Sequence, residues 1–152
     1  MVIVGQQGSL KENLTELHII VRTTGQILLS CVMSGSTVGI VGLGNIGQAV
    51  MARLQPFGVT RFVYSGRGRK EAAAERGAEF VPFETLLQES DFVVVTCAYS
   101  PELHHKFDRA AFRLMKQTAV LVNTSRGGIV NQDDLVEALS SGQIFAAGEN
   151  NS

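Results

Sequence analysis

Residues 42–47 read Gly-Leu-Gly-Asn-Ile-Gly, and this spacing of three glycines constrains the fold more than any other feature. The run Thr37–Val41 before it is apolar and strand-like, and Ile46–Phe57 after it has apolar side chains at helical spacing. A glycine-rich turn between a buried strand and a helix can hold the pyrophosphate of a dinucleotide, because the helix start favours negative charge. The alternative is a purely structural turn. The context on both sides favours dinucleotide binding.

The three glycines of this turn have separate expected roles. Gly42 permits the tight turn, Gly44 lets the backbone approach the pyrophosphate, and Gly47 lets the helix pack closely on the strand. These are steric requirements, so a side chain at any of the three positions is expected to interfere with either the fold or the ligand.

Beyond residue 35, short apolar runs alternate with helix-like segments. The predicted strands are Thr37–Val41, Arg61–Tyr64, Glu79–Val81, Phe92–Thr96, Ala119–Asn123 and Ile144–Ala147. The predicted helices are Ile46–Phe57, Arg69–Arg76, Phe83–Glu89, Arg109–Lys116 and Asp133–Ser140. This alternation predicts an α/β fold with a Rossmann-type doubly wound parallel sheet in three α/β/α layers. The expected domain covers residues 36–148, between a leader (1–35) whose ordering the sequence leaves open and a divergent tail (149–152).

Composition narrows the classes of function. A chain of 152 residues with a net charge of −1 fits one globular domain and lacks the basic footprint of a nucleic-acid-binding protein. No apolar stretch approaches the roughly 20 residues that span a bilayer, and no signal peptide is evident. Two cysteines, Cys31 and Cys97, are too few for a disulfide framework. A cytoplasmic protein that binds neither nucleic acid nor membrane is expected.

The choice of dinucleotide depends on the end of the second strand of the domain. NAD-specific domains usually carry Asp or Glu there, but this strand continues as Ser65-Gly66-Arg67-Gly68-Arg69 without an acid. Arg67 could bind a 2′-phosphate through its guanidinium fork, and Ser65 could add a hydroxyl donor. The alternative is a solvated basic loop. The sequence therefore predicts NADP(H) as the preferred cofactor and leaves NAD(H) open.

A second candidate site follows the run Val120–Asn123. The next residues, Thr124-Ser125-Arg126-Gly127-Gly128, place one arginine between small residues. Ligands of open parallel sheets bind beyond the carboxyl ends of the strands, so Arg126 could hold a substrate carboxylate through two hydrogen bonds. The alternative is an arginine that satisfies a helix terminus or a surface acid.

The segments Val38–Gly47 and Asn123–Val130 together resemble the D-2-hydroxyacid dehydrogenases. Within that family, Pro56–Gly58, Ser65–Arg67 and Val130–Leu135 most resemble the animal glyoxylate/hydroxypyruvate reductase branch. The resemblance covers about Ser36 to Gly148. It implies hydride transfer between a nicotinamide and a small 2-keto acid such as glyoxylate or hydroxypyruvate, in a homodimer.

The resemblance also implies roles for particular residues. Arg126 matches the family's catalytic arginine, which orients the substrate carboxylate and polarises the carbonyl group. The cofactor-binding positions beyond Gly42, Gly44, Gly47 and Ser65 are Asn45 and Ile46 beside the pyrophosphate, Gly66, Arg67 and Arg69 around the adenosine phosphate, and Ala98, Thr124 and Arg126 along the cofactor.

The chain departs from the family at both ends. Residues 1–35 do not resemble the family's substrate domain, and Asn150 stands where the family has Asp. The family's catalytic Glu and His have no match, while His104 and His105 are expected in a surface loop. We interpret the sequence as a truncated or alternatively spliced product that is inactive, or nearly so, by itself. A non-catalytic dinucleotide-binding or interaction module is the alternative.

Overall fold

A computed structural model describes residues 2–5, 33–71 and 76–149. Its strands are β1 (Val2–Gly5), β2 (Thr37–Val41), β3 (Arg61–Ser65), β4 (Ala78–Phe80), β5 (Phe92–Val95), β6 (Val120–Asn123) and β7 (Ala146–Glu149). Its α-helices are α1 (Asn45–Leu54), α2 (Phe83–Glu89), α3 (Arg109–Leu114) and α4 (Gln132–Ser140). Short 3₁₀ turns cover Gln55–Phe57, Pro101–Leu103 and Gly127–Ile129.

The strands form one sheet in the order β1-β7-β6-β5-β2-β3-β4. Strands β2 to β7 are parallel, and the chain runs from β2 outwards to β4, then returns to β5 and continues outwards to β7. This path is that of a doubly wound sheet, which confirms the predicted Rossmann-type fold. The direction of winding reverses between β2 and β5, so a crevice opens at the carboxyl ends of these two strands.

Both faces of the sheet are covered, which explains the near-continuous apolar strands. All four residues of β5 are buried, with Val93 and Val95 in one apolar cluster and Phe92 and Val94 in the other. The first cluster contains residues from α2, α3 and α4, and the second contains Met51 of α1. The described residues therefore form the predicted α/β/α layers.

Local signals explain where α4 begins and where the turn after α1 ends. The side chain of Asn131 accepts a hydrogen bond from the Asp134 N–H at 3.3 Å, as expected for the residue that caps α4. Gly58 has a φ of +81° and ends the turn that follows α1. Strand β2 and helix α2 have the bounds predicted from the sequence.

The bounds of β3 to β6 agree with the sequence-based prediction to within one residue at each end, and two other parts of the sheet differ more. Strand β1 lies within the predicted leader and pairs antiparallel with β7, Val2 opposite Glu149. Strand β7 begins two residues later than predicted and ends at Glu149, one residue beyond the expected domain end. The predicted helix Arg69–Arg76 includes residues 72–75, which lie outside the described residues, as do His18, Cys31 and Asn150.

None of the helices in the described ranges is long and apolar enough to cross a membrane.

Candidate functional site

The glycine-rich turn joins β2 to α1 at the crevice, and its geometry excludes side chains at two positions. Gly42 has a φ of +92°, and a Cβ added to it would lie 2.5 Å from the Cβ of Cys97. A Cβ on Gly47 would lie 2.7 Å from the carbonyl oxygen of Gly42. Contacts this short cannot be relaxed by moving a flexible side chain, so Gly42 and Gly47 have the structural roles that the motif predicts.

Gly44 has different surroundings from the other two glycines. A Cβ added to Gly44 would meet no atom of the described residues within 4 Å, so the space beside its backbone is open. Gly44 caps α1, whose first turn contains no acidic residue, and Asn45 and Ile46 are exposed. The N–H groups at the start of a helix lack partners within the helix and attract an anion. A pyrophosphate therefore fits this end of α1 both sterically and electrostatically.

The loop after β3 lies directly beside this turn. The Gly42 N–H donates to the carbonyl oxygen of Ser65 at 2.8 Å, and the Cα of Gly42 lies 3.9 Å from the position of a Cβ on Gly66. Arg67 and Arg69 are exposed, and neither forms an ion pair with another described residue. The loop that carries these two arginines therefore lies beside the first glycine, where the sequence analysis expects the adenosine end of the cofactor.

The loop after β5 forms the opposite wall of the crevice. The hydroxyl of Thr96 donates to the carbonyl oxygen of Gly42 at 2.7 Å, which ties this loop to the glycine-rich turn. Cys97 is a free thiol, and burial raises the pKa of that thiol above its usual value, which keeps it protonated at neutral pH. Ala98 follows as an exposed residue at the edge of the crevice. Thr96 was not identified from the sequence, because its role depends on a contact with a residue 54 positions away.

The loop that carries Arg126 is held by buried polar contacts. The Asn123 side chain accepts from the Ser125 N–H at 3.0 Å and donates to the Arg126 carbonyl oxygen at 3.1 Å. The Thr124 hydroxyl donates to the Val95 carbonyl oxygen at 2.9 Å, and the Ser125 hydroxyl donates to the Cys97 carbonyl oxygen. These bonds fix the backbone on both sides of Arg126, so its side chain extends from a rigid base.

The Arg126 side chain itself is exposed and weakly held. Its one hydrogen bond within the described residues goes to the Ser125 carbonyl oxygen at 3.5 Å, which is long for an N–H···O bond. It forms no ion pair with a described carboxylate. The described part of the chain therefore contains no partner of the kind required if Arg126 served only to neutralise an acid.

Glu149 lies behind this loop, at the end of β7. Its buried carboxylate accepts from the Gln132 side chain at 2.8 Å and from Asn123 Nδ2 at 3.4 Å. The sequence analysis placed Glu149 only in the divergent tail (149–152) and assigned no role to Asn123. Both contribute to the loop because β6 and β7 are neighbours, with Asn123 opposite Glu149.

The predicted site residues converge at one edge of the sheet. They follow β6, β5, β2 and β3, which are consecutive in the sheet. Hydrogen bonds join the four loops in series, from Ser125 to Cys97, from Thr96 to Gly42, and from Gly42 to Ser65. The arrangement offers backbone donors for a pyrophosphate between two arginine-bearing loops.

Two histidines adjoin the loop that carries Arg126, because the His105 N–H donates to the Gly128 carbonyl oxygen at 2.9 Å and a Cβ on Gly128 would lie 3.6 Å from His104 Nδ1. His104 and His105 are exposed, with their rings stacked at 3.9 Å, and His104 Nδ1 lies 3.2 Å from the Tyr99 hydroxyl. A hollow of about 200 Å³ lies between α3 and α4, and none of the site residues above lines it. We attribute function to the strand-end crevice because its donors and cations converge, although the crevice is open rather than enclosed.

Comparison with known proteins agrees with this geometry. Residues 10–149 match the family described as D-isomer specific 2-hydroxyacid dehydrogenase, NAD binding domain. The mouse and human glyoxylate reductase/hydroxypyruvate reductases are 56% and 55% identical to the chain over 117 residues. That alignment covers 76% of this chain and 36% of each relative, so the chain spans about a third of their length.

Solved structures show the same similarity. The apo structure of D-lactate dehydrogenase from Escherichia coli aligns with a TM-score of 0.78 at 33% identity, over 90% of this chain and 45% of that one. A glyoxylate reductase from Paecilomyes thermophila aligns with a TM-score of 0.73 at 34% identity, over 78% of this chain and 36% of that one. The similarity therefore extends from sequence motifs to the arrangement of strands and helices.

Proposed function

The chain belongs to the D-isomer-specific 2-hydroxyacid dehydrogenase family, and on that premise we propose that it binds NADP(H) for a 2-hydroxyacid oxidoreductase of the glyoxylate/hydroxypyruvate reductase type. The observation that carries the proposal is Arg126, an exposed cation without a described carboxylate partner, on a loop held by Asn123 at the same crevice as the glycine-rich turn. A small 2-keto or 2-hydroxy acid is the anion that it would bind.

In this proposal, the described residues have separate roles in cofactor binding and in substrate binding. The bound nicotinamide supplies or accepts a hydride at the carbon that carries the substrate oxygen. The start of α1 holds the pyrophosphate, and the loops with Ala98 and Thr124 border the cofactor. Arg126 donates two parallel hydrogen bonds to the substrate carboxylate and polarises the neighbouring carbonyl group. Because Asn123 fixes the Arg126 backbone, the conformational freedom lost on substrate binding is that of the Arg126 side chain and not of the loop.

The preference for NADP(H) rests on the loop after β3. No acid stands between Ser65 and Lys70 to repel a 2′-phosphate, and the exposed Arg67 belongs to the loop that lies beside the glycine-rich turn. Hydrogen bonds to charged groups contribute about 1.5–3 kcal/mol, so one arginine favours NADPH over NADH by about tenfold or more. Arg69 adds a second positive charge to the same loop.

We further propose that these 152 residues, tested alone, bind cofactor but turn over slowly or not at all. In the family, as the resemblance implies, a Glu and a His outside the matched segment move the proton. Loss of a general acid–base group lowers rates by about 10²- to 10⁴-fold. A homodimer, on the family resemblance alone, and a cytoplasmic location, on the sequence analysis alone, complete the proposal. A monomer in light scattering would contradict the proposed dimer.

Cofactor binding is the first test. Thermal unfolding of the chain is measured with NADPH, with NADH and without either, for the wild type and Arg67→Ala. We expect NADPH to raise the melting temperature more than NADH, and the difference to vanish in Arg67→Ala. Equal stabilisation of the wild type by both cofactors would overturn the assignment of the 2′-phosphate site.

Turnover is the second test and measures whether the 152 residues catalyse the reaction by themselves. NADPH consumption is followed with hydroxypyruvate or glyoxylate for the wild type, Arg126→Ala and the control Arg113→Ala, which removes an exposed arginine from α3. Little or no consumption above background is expected from the isolated chain. Consumption lost in Arg126→Ala but kept in Arg113→Ala would show that the 152 residues suffice for catalysis, contrary to our proposal.

A further inference from the structure

Lys70 connects two parts of the site that the sequence treats as separate. Its ammonium donates to the carbonyl oxygen of Leu43, inside the glycine-rich turn, at 2.7 Å. Lys70 also donates its backbone N–H to the hydroxyl of Tyr64 at 2.7 Å, and the Tyr64 ring is buried. The sequence analysis assigned no role to Lys70, because the contact with Leu43 joins residues 27 positions apart.

These bonds attach the loop after β3 at both of its ends. At its beginning, the Ser65 carbonyl oxygen accepts from the Gly42 N–H at 2.8 Å. At its end, Lys70 reaches Leu43, the residue next to Gly42. Arg67 lies between the two attachments. The position of Arg67 relative to the glycine-rich turn is therefore set by contacts that exist before any cofactor binds.

We propose that Lys70 is a positioning residue that acts through Arg67. It holds the loop against the glycine-rich turn, so that the pyrophosphate contacts and the 2′-phosphate contact are in register before the cofactor arrives. This inference rests on the proposed NADP(H) function. Ordering a loop in advance strengthens binding, since the entropy of ordering is not lost at the binding step.

The main alternative is direct contact between the Lys70 ammonium and a phosphate. An ammonium has three donors, of which the Leu43 carbonyl oxygen accounts for one, so geometry alone permits both roles. A change that loosens the loop without removing charge separates them. Tyr64→Phe removes the hydroxyl that holds the Lys70 backbone and leaves the ammonium in the protein.

Cofactor affinities are measured by calorimetry on the full 152-residue chain for the wild type, Lys70→Met, Tyr64→Phe, Arg67→Ala and Lys70→Met/Arg67→Ala. We expect Lys70→Met to weaken NADPH binding about fivefold and Tyr64→Phe to weaken it about two- to threefold, both with little change for NADH. In the Arg67→Ala background, Lys70→Met should have no further effect on NADPH, because contacts that act through one another are not additive. Arg53→Met, which removes one positive charge from α1, controls for net charge, because the Arg53 side chain bonds to the Ala49 carbonyl oxygen of its own helix at 3.1 Å.

Hydrogen exchange provides a readout that needs no cofactor. Lys70→Met should speed exchange of the hydrogen-bonded amides of Gly42 and Gly44 in the glycine-rich turn and of residue 70 at the end of the loop, and leave those of β5 and β6 unchanged. A Lys70→Met effect that persists in Arg67→Ala, an unaffected Tyr64→Phe variant, or unchanged exchange in these two segments would each overturn the positioning role. If the wild type binds neither NADPH nor NADH, the proposed function fails, while the exchange measurement still decides whether Lys70 holds the two segments together.

Discussion

The amino ends and the carboxyl ends of the parallel strands differ in whether their charged side chains form ion pairs. At the amino ends, Arg61 forms ion pairs at 2.7 Å with both Glu79 and Glu89, and Asp91 pairs with Lys116 at 2.8 Å. At the carboxyl ends, the arginines of the site form no ion pair with any described residue. The same sheet supports both ends, so the contrast comes from the residues at the strand ends and in the adjoining loops and helices.

This difference predicts separate roles for the residues at the two ends of the strands. Charges that are paired with one another hold strand and helix ends together. A ligand would have to break these ion pairs before it could bind to the same side chains. Where cations extend from loops fixed by backbone contacts, an anionic ligand gains hydrogen bonds without first breaking ion pairs. We therefore expect the residues at the amino ends of the strands, the amino edge, to contribute to stability and those at the carboxyl ends, the carboxyl edge, to contribute to binding. Substitutions at the two edges should then affect different measurements.

The largest effects are expected in the glycine-rich turn, where Gly42→Ala and Gly44→Ala should affect different properties of the protein. Gly42→Ala should lower the free energy of unfolding by about 3 kcal/mol, because the new methyl group collides with Cys97 and the φ of +92° is strained for alanine. Gly44→Ala should cost less than about 1 kcal/mol but weaken NADPH binding strongly, since its methyl group enters the open space for the pyrophosphate. Urea unfolding and calorimetry check the two. A Gly44→Ala variant that binds NADPH normally would contradict the placement of the pyrophosphate.

The second prediction compares the same substitution, arginine to alanine, at the carboxyl ends and at the amino ends of the strands. Arg67→Ala should weaken NADPH binding about tenfold and leave urea unfolding unchanged, because its side chain has no described ion-pair partner to lose. Arg61→Ala should leave NADPH binding unchanged and cost less than about 1 kcal/mol of stability, because its ion pairs are partly exposed. If the two variants have the same profile, the distinction between the edges is wrong.

The third prediction concerns pH at the amino edge. Partial burial, the largest influence, raises the pKa of Asp91, but hydrogen bonds from Lys116 and the Thr37 N–H outweigh it, so the pKa lies below its usual value. A carboxylate with a lowered pKa stabilises the fold above its unfolded-state pKa of about 3.9, and this stability is lost as the pH falls through the folded-state pKa.

Asp91→Asn tests this dependence. At pH 7 the variant should be less stable than the wild type by about 1 kcal/mol, and the gap should narrow as the pH approaches 3 in urea unfolding. NADPH binding at pH 7 should not change, because Asp91 lies at the far ends of the strands. A gap that is independent of pH would show that the ionisation of Asp91 does not stabilise the fold.

The smallest effect is expected at Ser90, also at the amino edge. Its buried hydroxyl has no hydrogen-bond partner among the described residues, and Gly39 packs beside it. Ser90→Ala removes an unsatisfied polar group, so stability should stay the same or rise by less than about 1 kcal/mol. A clear loss of stability in thermal unfolding would mean that Ser90 has a partner, and that this edge is more polar than described.

Much of the fold follows from the sequence alone. The bounds of β2 and α2 agree with prediction because a buried β-branched run and apolar residues at helical spacing are local signals. Strand β7 was placed two residues early because Ile144 and Phe145 are apolar, although they precede the strand. Strand β1 was missed because a four-residue strand is recognisable only by its pairing with β7, at the other end of the chain.

The site shows the same division. Sequence alone determined the glycine-rich turn, the exposed loop with Arg67 and the loop with Arg126, because each depends on residue types within a few positions. Only the tertiary structure revealed that Lys70 reaches Leu43, and that Asn123 holds the Arg126 backbone with Glu149 behind it. It also decided which charges are neutralised, since an ion pair depends on which strand ends are neighbours. Local backbone geometry depends on adjacent residues and can be predicted from them. Hydrogen bonds and ion pairs between residues distant in sequence form only when the chain folds.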